Sequence, residues 1–189
     1  SLIDAGAPQG TKAGPNVFKL LINDLVFKSE FVKYVDDVSV ATVSSQPDDV
    51  VMLNEIENLI AWCEINGMEI NKSKTKEMVI YFGKKYSNID IKPTFVNDSE
   101  IERVFSFKLL GIIVSSDLTW NEHVAYIVSK ASRRIFVIQQ LLKAGTAIID
   151  ILTVYCSIVR SVLEYACQVW HSGLTLQQSN EIEYVQRRV

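Results

Sequence analysis

Two adjacent carboxylates, Asp36 and Asp37, lie between two runs of β-branched and aromatic residues, Phe31–Val35 and Val38–Val43. Asp is common in hairpin turns because it tolerates unusual backbone angles, so the pair alone is a weak signal. Its surroundings sharpen it, because both flanking runs are almost wholly apolar. Neighbouring carboxylates repel, and one of them keeps its proton unless a cation lies beside the two. A divalent ion resolves the conflict. Oxygen-only ligands with an open shell suit Mg²⁺, which keeps waters and takes further ligands from phosphates; Mn²⁺ accepts the same donors. Two such ions about 3.5–4 Å apart clamp the attacking and leaving oxygens of an in-line phosphoryl transfer.

Other ligand types are scarce. Cys63, Cys156 and Cys167 have no CxxC spacing, and His123 and His171 lie near no second nitrogen or sulfur ligand. Zinc is therefore not expected, and the thiols read as reduced, buried groups of an intracellular protein. The net charge of −3 argues against a nucleic-acid partner, since such domains are usually basic. The distribution weakens that objection. Between Asn71 and Tyr86, Lys72, Lys74, Lys76, Lys84 and Lys85 stand against one acid, Glu77. Between His123 and Ile149, Lys130, Arg133, Arg134 and Lys143 meet no acid at all. Such residues form either the solvated face of an amphipathic helix or a phosphate contact, and the missing acids favour the phosphate.

The elements that must position these groups follow from length and periodicity. A chain of 189 residues, 48% hydrophobic and 22% charged, is one ordinary globular domain or a large piece of a bigger protein. The start Ser1-Leu2-Ile3-Asp4 reads as internal to a longer chain. The most apolar stretch, Ile148 to Val169, is broken by Asp150, Arg160 and Glu164, so no membrane span is expected. A helix is predicted from Pro15, with Val17, Phe18, Leu21, Ile22 and Leu25 at helical spacing. The two runs around Asp36-Asp37 predict a hairpin with the carboxylates in its turn. A helix starting at Pro47-Asp48-Asp49 should carry the stripe Met52, Ile56, Leu59, Ile60 and Cys63 and end near Asn66-Gly67, its first acids facing the helix dipole. Met78–Phe82, Ile89–Val96 and Val104–Val114 read as strands, the last two with room for a break. From Thr119 onward only helices are predicted: one with Val124, Ile127, Val128, Ala131, Ile135, Ile138 and Leu142 on its apolar face, one over Thr146 to Tyr165, and one from about Thr175. The class is α+β, with an all-helical unit after about Asp117.

The order of motifs resembles one family. Ala7-Pro8-Gln9-Gly10-Thr11, then Gly14-Pro15, Phe18 and Ile22-Asn23-Asp24-Leu25, is similar to the template- and nucleotide-contacting motif of reverse transcriptases. Tyr34-Val35-Asp36-Asp37 resembles their Tyr-x-Asp-Asp box. Trp62-Cys63, Asn66-Gly67-Met68, Asn71 and Lys74-Thr75-Lys76 resemble the next motif in the non-LTR (LINE-type) retrotransposon branch. Phe107-Lys108-Leu109-Leu110-Gly111, with Leu118-Thr119-Trp120 and His123, is similar to that branch's primer-grip strand and thumb start. Tyr165, Val169-Trp170 and Gln186-Arg187-Arg188 resemble the segment that follows. The resemblance is spread over the whole chain and in the family's order.

It implies a partial palm over 1–117, an antiparallel sheet with helices, and over 118–189 a helical thumb and the start of the next segment. Asp36 and Asp37 would hold catalytic Mg²⁺, and Lys74 would steer or protonate the leaving pyrophosphate, unless it is one more solvated lysine. Gln9, Gly10, Tyr34 and Val35 would border the incoming nucleotide, template and primer end. Lys108, Leu110 and Gly111 would form the primer grip, and Lys130, Arg133 and Arg134 would hold the nucleic-acid backbone. The implied partners are an RNA template with a DNA primer, dNTPs, upstream fingers and palm segments, and an endonuclease domain of the same polyprotein, in a nuclear and cytoplasmic ribonucleoprotein. Ala7 and Ala13 depart from the family's usual residues only in packing, and Val38-Ser39 stand where Thr-Thr is frequent. The family's other metal-binding Asp belongs to a motif upstream of Gln9, which Asp4 does not match, so this chain alone is expected to be inactive. Two alternatives stand beside the polymerase: a group II intron maturase-like or telomerase-like enzyme, and a decayed or domesticated relic that binds nucleic acid or protein without catalysis.

Overall fold

The computed structural model describes residues 14–44, 50–82 and 91–188. Two compact units divide them, one of 14–77 and 91–103, the other of 78–82 and 104–188. The class is mixed helix and small sheets, with four two-stranded sheets among the described residues.

In the first unit, α1 (Gly14–Leu21) leads to a hairpin of β1 (Glu30–Tyr34) and β2 (Asp37–Ala41), then to α2 (Val51–Ile65). The register Phe31↔Val40 and Lys33↔Val38 puts Phe31, Val38 and Val40 on one face, as the period of two requires. That face packs with Phe18, Leu59 and Trp62 on the buried Ile22, Leu25 and Phe27. α2 ends as expected: Gly67 takes φ +62°, and the Met68 amide donates to Cys63 O at 2.8 Å, a left-handed termination suited to glycine. The expected stripe on α2 is only partly buried. Its deepest residues are Cys63 and the acid Glu55, whose carboxylate accepts from the amides of Ser29 at 2.7 Å and Lys28 at 3.3 Å. Asp48 and Asp49 lie outside the described residues. The unit closes with the short β3 (Lys76–Glu77), β4 (Phe95–Val96), β5 (Ser99–Glu100) and β6 (Glu102–Arg103). β3 pairs with β6 in parallel, and β4 with β5 antiparallel.

The strand expectations need correction here. Met78–Phe82 is not a strand, because β-forming side chains do not supply the ladder that defines one. Of Ile89–Val96, residues 91–96 are described; among these 91–94 are irregular and Phe95–Val96 pairs, folding back through Asn97 and Asp98 at φ +45° and +61°. Asn and Asp tolerate that left-handed region. Val104–Val114 is a hairpin, β7 (Ser106–Leu109) and β8 (Ile112–Ser115), turning at Leu110-Gly111.

That hairpin belongs to the compact unit that holds the later helices, which the chain enters after Arg103. α3 (Asn121–Lys143) buries Val124, Ile127, Ala131, Ile135 and Ile138, spaced by three and four residues as one helix face demands. Ile151, Val159, Leu163, Trp170, Ile182 and Val185 complete the core. The predicted second helix is interrupted: α4 (Ile148–Tyr155), a π-helical stretch (Cys156–Arg160) and the single turn α5 (Ser161–Leu163). Thr153, Ser157 and Ser161 each donate to the carbonyl four residues back, an arrangement that bends helices. A left-handed Ala166 (φ +49°) leads into α6 (Cys167–Trp170), and α7 (Leu176–Arg187) starts near Thr175 as predicted. Thr175 and Gln178 form a reciprocal capping box, which satisfies two first-turn donors.

Candidate functional site

The predicted carboxylate turn exists, shifted by one residue. Val35 and Asp36 form the two-residue loop, whereas Asp37 is the first residue of β2 and pairs with Tyr34. Val35 has φ +56°. A positive φ at the first loop position is the habit of glycine in tight hairpins, and for a β-branched residue it is a genuine outlier. Tyr34, Val35, Asp36 and Asp37 are all exposed, and neither carboxylate forms a salt bridge among the described residues.

Lys33 anchors this turn. Its Nζ donates to the carbonyls of Ile22 (2.8 Å), Asn23 (3.2 Å) and Leu25 (2.9 Å), just beyond α1, where the negative end of the helix dipole favours a cation. Trp62 Nε1 donates to Asp24 Oδ1 at 3.0 Å, joining two motif segments that no local pattern links. The hydroxyl and amide of Ser29, with the Lys28 amide, hold the Glu55 carboxyl below its ordinary pKa and fix the loop that enters β1.

The remaining predicted residues fall in different places. Gln9 and Gly10 lie outside the described residues. Lys74 is exposed in a loop organised by Asn71, whose Oδ1 accepts from the Lys74 amide (3.2 Å) and the Ser73 hydroxyl (2.8 Å). No hydrogen bond or ion pair among the described residues links that loop to the carboxylate turn. In the second unit, Lys108 on β7 donates to Tyr126 Oη at 2.8 Å and lies 4.5 Å above its ring, with Lys130 Nζ 5.6 Å from the same ring. The Lys108 ammonium holds the Tyr126 phenol below its ordinary pKa. Arg133 is exposed, whereas Arg134 is half-buried and donates through Nη1 to Ile158 O at 2.5 Å in the π-helical stretch. The basic trio therefore differs in role. Hydrophobic periodicity could not show this, because Arg134's partner is 24 residues away.

The family model described as reverse transcriptase (RNA-dependent DNA polymerase) matches residues 2–114. The chain belongs to the reverse transcriptase family. It is 24% identical over 199 aligned positions to the probable RNA-directed DNA polymerase from transposon X-element of Drosophila melanogaster, covering 99% of this chain and 21% of that protein. It is 24% identical over 183 positions to the RNA-directed DNA polymerase from mobile element jockey of Drosophila funebris, covering 89% and 19%. It is 23% identical over 147 positions to the Pol polyprotein from type-1 retrotransposable element R1 2 of Nasonia vitripennis, covering 73% and 36%. These mobile-element relatives support the non-LTR resemblance drawn from the motifs. The chain spans about a fifth of the first two relatives. No solved structure matches it significantly.

For a reverse transcriptase, the donor chemistry of the carboxylate turn fits a divalent ion in part. Asp36 and Asp37 offer oxygen donors on an exposed tip, and two carboxylates leave coordination free for water and phosphate oxygens. No cluster of three or more metal-ligating side chains occurs among the described residues. No described helix is long and apolar enough to cross a membrane.

Proposed function

We propose that this chain supplies the later palm and the thumb of a retrotransposon RNA-directed DNA polymerase, which extends a DNA 3′ end on an RNA template using dNTPs. The palm would run to about Asp117 and the thumb would follow. Asp36 and Asp37 would hold Mg²⁺, or Mn²⁺ in its place. The bound ion would supply charge neutralisation for the reacting phosphates. The chain's own residues do the positioning, which together with electrostatics carries most of a phosphoryl transfer. Tyr34 and Val35 would border the primer end and nucleotide, with Gln9 and Gly10 beside them. Lys74 would face the leaving pyrophosphate, Lys108, Leu110 and Gly111 would grip the primer, and Lys130 and Arg133 would meet phosphates. An endonuclease domain in the same polyprotein belongs to the same reading.

The observation that carries this reading is the pair of exposed carboxylates at a strained hairpin, Asp36 in its loop and Asp37 at the start of β2, tied by Lys33 to carbonyls just beyond α1. The test is primer extension on an RNA template by a polymerase-competent chain carrying this sequence. Asp36→Asn preserves shape and removes charge, so extension should fall by at least about a hundredfold with the fold intact by circular dichroism. Unchanged extension would sink the assignment, and an inactive parent that still binds nucleic acid would favour the relic.

A further inference from the structure

The β7–β8 hairpin turns on two residues with positive φ, Leu110 at +46° and Gly111 at +92°. Two positive values mark the type I′ pattern, which Asn-Gly or Gly-Gly adopts without strain. Leucine does not, because its Cβ crowds the following carbonyl in the left-handed region. A strained turn persists only where its surroundings over-determine it.

Those surroundings come from a segment 55 residues later. Tyr165 Oη donates to Leu110 O at 3.0 Å. Its ring covers Gly111 so closely that a Cβ there would stand 3.0 Å from Tyr165 Cε1. Tyr165 is itself held, because Trp170 Nε1 donates to Tyr165 O at 3.0 Å. Trp170, 1% exposed, meets the His123 ring edge-on at 5.3 Å. His123 Nδ1 accepts from the Ile113 amide at 3.3 Å, within β8. The hairpin is thus tied at its tip by Tyr165 and along its second strand by His123, and the buried indole joins the two ties. Tyr165 remains 55% exposed, so its hydroxyl can be removed without opening the core.

We propose that Tyr165 is a positioning residue for the primer terminus, acting through the Leu110–Gly111 turn; this rests on reading that turn as the primer grip. Leu110 is 41% exposed at the tip. A turn locked in one conformation presents this side chain and the Gly111 backbone at a fixed place, and misplacement by about 1 Å can reduce rate by about a hundredfold.

The test has two parts. In the 189-residue chain, Tyr165→Phe should speed hydrogen exchange of the amides around residues 109–112 while α3 and the melting temperature stay as they were. In a polymerase-competent chain carrying this sequence, the same variant should raise KM for primer–template about fivefold, the net worth of one hydrogen bond, and leave KM for dNTP unchanged. Gly111→Ala, which displaces the Tyr165 ring, should reproduce the effect. If Tyr165→Phe leaves primer KM unchanged while Lys108→Ala raises it, the role of Tyr165 is wrong and the primer grip stands. If neither variant affects primer use, the primer-grip reading fails and the proposal with it. A loss of melting temperature with primer and dNTP parameters changing together would make Tyr165 a folding residue only, which also overturns the proposal.

Discussion

Replacing Lys33 by Met should loosen the Asp36–Asp37 hairpin from the chain behind it without disturbing the core. All three ammonium protons are used, on Ile22 O (2.8 Å), Leu25 O (2.9 Å) and Asn23 O (3.2 Å). Hydrogen bonds to a charged group contribute about 1.5–3 kcal/mol each. Two of these bonds are partly buried and the third is exposed, and exposed partners gain little because water replaces them. Two partly buried bonds would contribute about 3–6 kcal/mol at that rate, and their partial exposure lowers the set to about 2–4 kcal/mol. Methionine keeps the alkyl stem of a side chain whose Nζ lies 5.6 Å over the Phe31 ring, so the variant tests the charge and not the packing. The assay is native-state hydrogen exchange read by mass spectrometry. Amides of β1 and β2 should exchange about 30- to 1,000-fold faster, the factor that 2–4 kcal/mol of lost local stability implies. Amides of α3 should not change. A loss under about 0.5 kcal/mol would refute the reasoning, since the hairpin would then be held by apolar contacts alone.

Two further outcomes are expected. His123 is 1% exposed, its Nε2 has no hydrogen-bond partner among the described residues, and burial lowers its pKa from 6.5. The folded state therefore binds fewer protons than the unfolded one, so the stability is complete above the unfolded pKa and fades as pH falls below it. Melting temperature should decline from pH 7 to pH 5, and His123→Gln should flatten that slope; an unchanged slope would place the titration elsewhere. The basic residues of α3 should separate into two classes. Lys130→Gln and Arg133→Gln should each reduce the slope of log K against log salt for RNA–DNA duplex binding by roughly 0.7–0.9. Arg134→Gln should leave that slope alone and lower stability to urea by about 1–2 kcal/mol, because it breaks a part-buried charged bond.

How much of this was legible depends on the range of the interaction. The face of α3 repeats over the whole helix, so periodicity located it to within two residues. The carboxylate hairpin was visible because β-branched runs flank two turn-prone acids. Its register was missed by one residue, because propensity places Val35 in a strand while the structure bends it to φ +56°. The π-helical interruption of the helix predicted over Thr146 to Tyr165 is written in hydroxyls, Thr153, Ser157 and Ser161, which a hydrophobic pattern ignores. Lys33 shares with Phe31 the face of β1 that meets the core, and nothing in its local sequence names the carbonyls it reaches. Tyr165 and His123 stand out in the sequence chiefly as parts of motifs. Their tasks are set by contacts to Leu110 and Ile113, and no local pattern encodes a partner so far away.

The two hairpins solve one problem in the same way. Each places an aliphatic residue, Val35 or Leu110, at a positive φ where glycine or asparagine would be at ease, at about 1–2 kcal/mol of strain apiece. Each is then secured by a long polar side chain, Lys33 for the first and Tyr165 for the second. Glycine would relieve the strain but leave the tip bare, so the arrangement makes sense where a side chain at the tip has work to do. In β1–β2 the bend has a second consequence. With Val35 in the loop, Asp37 joins the ladder opposite Tyr34 while Asp36 stays in the turn. Two adjacent acids thereby receive different backbones, one fixed by strand pairing and one free of it. Under the proposed metal role, a pair serving one ion would need that kind of asymmetry, because identical neighbouring carboxylates on a straight strand would point to opposite faces.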